Sequence, residues 1–89
     1  MPKKLFTKQD AREAQYFTRL GLKCSRHLTA DQITEAWRKA LMNVKNDQDA
    51  IFINEAKRDL IDEEIRGDYI DALVKYNIQD NVVIESSIN

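Results

Sequence analysis

The chain is short of nearly everything that marks a catalytic, metal-binding or secreted small protein. Its single cysteine, Cys24, excludes an intrachain disulfide and any zinc site built from several cysteines. One histidine, His27, lies three residues from Cys24, and two side chains are too few to hold a metal. Two glycines and one proline leave few strong breakers, which favours long helices and short connections over a many-turned β fold. No apolar run approaches the ~18 residues of a membrane span. The first residues lack the apolar centre of a secretory signal, so no signal peptide is expected. The lone thiol fits the cytoplasm or another reducing soluble compartment. There is no glycine-rich phosphate loop, and no nucleophile stands beside an evident base. Glu63 and Glu64 are adjacent, so on a helix they diverge by about 100° and do not form a carboxylate pair. No enzyme activity, catalytic residue, metal, cofactor or small-molecule substrate is therefore expected.

What is present reads as one small soluble domain. Charged residues make up 33% and apolar residues 43% of 89 positions, and the formal net charge is −1. That balance fits a folded helical domain and argues against nucleic-acid binding by bulk electrostatics.

The clearest element runs from Thr29 to Asp47. Thr29 and Gln32 have the spacing of a capping box. Ile33, Ala36, Trp37, Ala40, Leu41 and Val44 recur at helical period, with Glu35, Arg38, Lys39 and Asn43 on the other side. Trp37 in the middle of such a stripe is expected in the core. Upstream, residues 1–6 read as an arm whose Leu5 and Phe6 can dock. Thr7 caps a helix that continues through Leu20, and Gly21 supplies the left-handed stop before Leu22. Lys23, Arg26 and His27 fall in a loop expected to be solvated.

Downstream, Lys45 to Asp49 is a loop, and Asp47 or Asp49 is the expected cap of a third helix carrying Ile53, Ala56, Leu60 and Ile61. A tight bend at Asp62 leads to a fourth helix. Acidic residues fill its first turn, and its apolar face holds Ile65, Tyr69, Ala72, Leu73 and Tyr76. Gly67 makes the early part of that helix the weaker assignment. Residues 77–89 are expected to form an extended acidic, apolar tail, so the helical domain spans residues 7–76.

Taken in order, these pieces resemble the J-domain of the DnaJ family of co-chaperones. Tyr16-Phe17-Thr18-Arg19-Leu20-Gly21-Leu22 is similar to the family's aromatic-aromatic-x-x-Leu-Gly-Val opening. Ile33 to Leu41 is similar to its second-helix signature, with Trp37 at the aromatic position. Ile53-Asn54-Glu55-Ala56 matches the third helix, and Leu60-Ile61-Asp62 with Arg66 and Tyr69 resembles the turn that follows. The resemblance covers roughly residues 14–70. It implies an all-α domain in which helices II and III form an antiparallel pair flanked by short helices I and IV.

J-domains carry His-Pro-Asp after the second helix, where they engage a DnaK-class chaperone and stimulate its ATP hydrolysis. Lys45-Asn46-Asp47 stands there in this chain, so only the acid remains. Lys57 replaces an aromatic of the third helix. The basic face is reduced to Arg38, Lys39 and Lys45, interrupted by Asp31 and Glu35. The resemblance thus implies a degenerate, non-catalytic J-like interaction module, an adaptor or assembly subunit. Arg38, Lys39, Lys45, Asn46 and Asp47 would meet a protein partner: a J-protein, a DnaK-class chaperone or a larger assembly. Each of these residues also has a plainer reading, Asp47 as a helix cap and the others as solvated side chains. The alternative expectation is a divergent active co-chaperone, and a weaker one is a helix-turn-helix DNA binder.

Overall fold

The computed structural model describes residues 5–81, and every regular element among them is helical. The helices are α1 (Lys8–Ala14), α2 (Tyr16–Leu20), α3 (Ala30–Met42), α4 (Asp47–Ile61) and α5 (Glu63–Tyr76). The fold is a small all-α domain. Helix α2 packs on α3 and α4, and α5 packs on α1 and α4. Among the described residues no helix is long and apolar enough to cross a membrane.

The expected capping box forms at Thr29 with Gln32, and Thr7 caps its helix as a second box with Asp10. Helix α2 stops at Gly21, whose φ of 70° is the left-handed value that glycine adopts without strain. The Leu22 N–H then reaches back to Phe17 O at 2.9 Å, closing the turn. Helix α5 stops in the same way at Asn77, φ 58°, and buries Ile78 just beyond. Asp62 serves two helices at once. It ends α4 with extended backbone, and its carboxylate accepts from the Glu64 and Ile65 N–H groups that open α5. Gly67 is helical, well inside α5.

The first expected helix is two helices. The continuous apolar spacing from Ala11 to Leu20 predicts one, but Gln15 takes φ 46°, ψ 46° and breaks it. A left-handed non-glycine residue costs roughly 1–2 kcal/mol, and a break frees backbone groups on both sides. Distant side chains take up those groups. The Tyr16 N–H donates to Tyr69 Oη at 3.2 Å, and the Phe17 and Thr18 N–H groups donate to the two oxygens of Asp80 at 2.9 and 2.8 Å. On the other side, Arg19 donates to Ala14 O and Glu13 O, and Gln15 Nε2 donates to Arg12 O and Gln79 O. The break is a fully partnered joint.

Asp80 is central to that joint. It is fully buried and also accepts from the Thr18 hydroxyl at 2.7 Å and from the Tyr69 hydroxyl. Residues 78–81 are therefore part of the packed domain: Ile78 is buried, and Asn81 Nδ2 donates to Leu22 O at 2.6 Å. The rest of the expected tail, residues 82–89, lies outside the described residues.

Ala11, Phe17, Ile33, Ala56, Leu60 and Tyr69 are fully enclosed at the centre of the core. The rings of Phe6, Tyr16, Phe17 and Tyr69 cluster with centroids 4.7–6.2 Å apart. Phe6 belongs to this cluster, whereas Leu5 is 82% exposed. Two further charged residues are buried with partners. Asp59 accepts from the Tyr16 hydroxyl and from Arg58 Nε, and Arg66 donates to Leu60 O at the end of α4 and to Arg26 O in the loop before α3. That loop is not simply solvated, because Arg26 also pairs with Asp71 of α5 at 2.6 Å.

Candidate functional site

Helices α3 and α4 are joined by residues 43–46 and fold back on one another. Trp37, in the second half of α3, reaches Asn54 in the first half of α4, and its indole Nε1 donates to Asn54 Oδ1 at 2.8 Å. Lys57, one turn further along α4, lays its ammonium 4.9 Å from the Trp37 ring centre. Such contacts require the two helices to run antiparallel. They also revise the expectation for Trp37. It is half-buried at the edge of the core, because its polar edge and one face are engaged by Asn54 and Lys57.

The five candidate residues are all exposed, two on α3 and three where the chain turns into α4. Arg38 and Lys39 are on the exposed side of α3, with Arg38 3.9 Å from Glu35 in a solvated i,i+3 pair. Lys45, Asn46 and Asp47 are all exposed where the chain turns into α4. The cap of α4 is Asn46, not Asp47 or Asp49. Its Oδ1 accepts from the Asp49 N–H at 2.9 Å, and its backbone is extended at φ −154°. A cap must precede the first helical residue, and Asp47 already is that residue. Asp47 and Asp49 act instead as first-turn acids, favourable at the positive end of the helix dipole. Among the described residues, Lys45 and Asp47 make no side-chain hydrogen bond or ion pair.

No protein-family model matches the chain, and no curated protein or solved structure matches it at a significant level.

Two exposed apolar side chains join this region. Met42 is 80% exposed and Ile51 49% exposed. Met42 stands three and four residues beyond Lys39 and Arg38, so it shares their side of α3. Its place off the Ile33–Val44 stripe is the sequence signal for that exposure. The hairpin end thus combines cations, a free carboxylate and a flexible apolar side chain, all facing water.

Three titratable groups lie inside the fold. Burial, then hydrogen bonding to Asp59 and Asp80, pushes the Tyr16 and Tyr69 hydroxyls well above the ordinary tyrosine range. Burial pushes the Cys24 thiol up to about 11. All three are protonated near neutral pH, and the Cys24 thiolate is scarce there. Among the described residues, no three His, Cys, Asp or Glu side chains gather into a metal-ligand set.

Proposed function

We propose that this chain is a non-catalytic protein-interaction module of J-like architecture. In this reading it presents the exposed side of α3 and the α3–α4 turn to a protein partner and does not stimulate a DnaK-class ATPase. The observation that carries the reading is the state of Asn46. Its side chain and extended backbone are committed to capping α4, where a His-Pro-Asp tripeptide would carry proline. Proline fixes φ near −65° and has no N–H, so a φ of −154° cannot accept it without rebuilding the turn. Lys45 and Asp47 flank the cap as solvated charges, and Arg38, Lys39 and Met42 extend the same exposed surface.

The test is an ATPase assay with the DnaK-class chaperone of the source cell. The expected result is no stimulation by this chain. Stimulation that disappears in Asp47→Asn would establish an active co-chaperone and overturn the proposal. A Lys45→His/Asn46→Pro variant adds a control. It loses the Asn46 cap, worth about 1 kcal/mol, and should unfold at lower temperature whether or not it gains activity. For the partner itself, affinity capture from the same cell should return a stoichiometric protein, and Arg38→Glu/Lys39→Glu should release it.

A further inference from the structure

A second surface on the molecule has chemistry that the hairpin end lacks. Helices α1, α2 and α4 enclose an open recess of about 260 Å³, with no contribution from α3. Three aromatic rings line it, those of Phe6, Tyr16 and Phe52. Three carboxylates also line it, those of Asp10, Glu13 and Glu55. None of the three is in an ion pair among the described residues. Glu13 accepts from Gln9 Nε2 through one oxygen, and Asp10 closes the Thr7 capping box through one of its own. Each therefore keeps an oxygen for another donor, and Glu55 keeps both.

The recess already shows what it accepts. Arg19 lines one wall with its guanidinium 4.4 Å from the centre of the Phe52 ring. This cation is not neutralised by the acids. Its N–H groups go to Ala14 O and Glu13 O, the carbonyls freed where α1 ends. Three carboxylates against one guanidinium leave the recess a formal charge of −2. An aromatic floor with surplus negative charge attracts a cation twice over, by the ring quadrupoles and by the carboxylates. The volume falls below the ~300–1,000 Å³ of sites for drug-sized molecules. It suits the end of one side chain.

We propose that this recess takes the ammonium end of a lysine presented by a protein partner. The choice of ammonium over guanidinium follows from donor geometry. An ammonium offers three rotatable donors to three separate carboxylates, whereas a guanidinium presents a planar fork suited to one. Its alkyl stem lies against the rings while the charge reaches the acids. The proposal stands apart from the J-like reading, since none of its residues belongs to the α3–α4 turn.

The test is a titration of the ¹⁵N-labelled chain with N-acetyl-lysine methylamide, followed by amide chemical shifts. N-acetyl-norleucine methylamide serves as the uncharged control, and putrescine as a free-amine arm. Expected are saturable shifts confined to amides near Phe6, Asp10, Tyr16, Phe52 and Glu55, absent with the norleucine derivative. The Glu13→Gln/Glu55→Gln variant changes exposed side chains, so its amide spectrum should remain that of the folded chain. It should bind the lysine derivative at least tenfold more weakly. Shifts that rise linearly without saturation, that spread over acids elsewhere on the surface, or that persist in the variant overturn the proposal. So does tighter binding of putrescine at equal ionic strength, which would assign the recess to a free amine. Shifts of the same amides in Lys3→Ala/Lys4→Ala without any probe would assign it to the chain's own lysines and likewise overturn it.

Discussion

Replacing Asp80 by asparagine should unfold the domain at a much lower temperature, although the new side chain has nearly the same shape. The carboxylate accepts four hydrogen bonds, from Phe17 N, Thr18 N, Thr18 Oγ1 and the Tyr69 hydroxyl. Every partner is a donor, and Tyr69 Oη is itself already accepting from Tyr16 N. An asparagine offers one oxygen and points an NH₂ group at the remaining donors. At least two bonds to a charged acceptor are lost, each worth about 1.5–3 kcal/mol, and buried donors are left facing a donor. The expected loss is therefore about 3 kcal/mol or more, a large share of the ~5–15 kcal/mol that holds a domain together. At about 4–8 °C per kcal/mol for a domain of this size, Tm should fall by roughly 12–24 °C. Circular dichroism at 222 nm during heating measures it. A Tyr69→Phe variant and the double variant complete a cycle, and the two changes should be strongly non-additive because they share one bond. An Asp80→Asn chain within 0.5 kcal/mol of the parent would refute the view that this carboxylate holds the joint at Gln15.

Three further outcomes are expected. Tyr16 and Tyr69 are held protonated in the fold, so folding binds their protons more tightly than the unfolded chain does. The linked stabilisation is complete below about pH 10, the ordinary tyrosine value, and is lost as pH rises above it; the urea midpoint should fall between pH 9 and pH 11. Cys24, pushed up to about 11, should react with a thiol reagent at pH 8 roughly tenfold more slowly in the folded chain than in denaturant, since scarcer thiolate is only partly offset by greater nucleophilicity. Gly21→Ala meets no neighbour within 4 Å but must hold φ 70°; a loss of about 1–2 kcal/mol with an unchanged fold is expected from denaturant unfolding.

Features written in neighbouring residues were legible in the sequence, and features written across the chain were not. The Thr7 and Thr29 boxes, the Gly21 stop and the Asp62 bend each depend on side chains within four residues, and each is present in the structure. The cap of α4 falls on Asn46, one or three residues before the expected Asp47 or Asp49, because all three are good caps and only the helix register separates them. The break at Gln15 has no local signature. Its neighbours suit a continuous helix, and the groups that make the break tolerable come from Tyr69 and Asp80. Asp80 was hidden for the same reason, an acid in a stretch that reads as tail. The exposed set of Arg38, Lys39, Lys45, Asn46 and Asp47 could be named because it follows one helix in order. The acidic and aromatic recess could not, since its walls come from three helices and the segment before them.

The joint at Gln15 sets a clock on the making of the protein. Its acceptor lies 62 residues after the Thr18 N–H that needs it. A ribosome adding about 5–20 residues per second delivers Asp80 roughly 3–12 s after Thr18. Until then the Phe17 and Thr18 N–H groups lack their acceptor, and the left-handed turn at Gln15 has only the Tyr69 hydroxyl and the local bonds of Arg19 and Gln15 to offset it. The nascent N-terminal segment is free to run as one unbroken helix from Thr7 to Leu20, the form its local spacing prefers. A chain stalled before residue 80 should display that straight helix, with Phe17 and Tyr16 open to whatever meets it first.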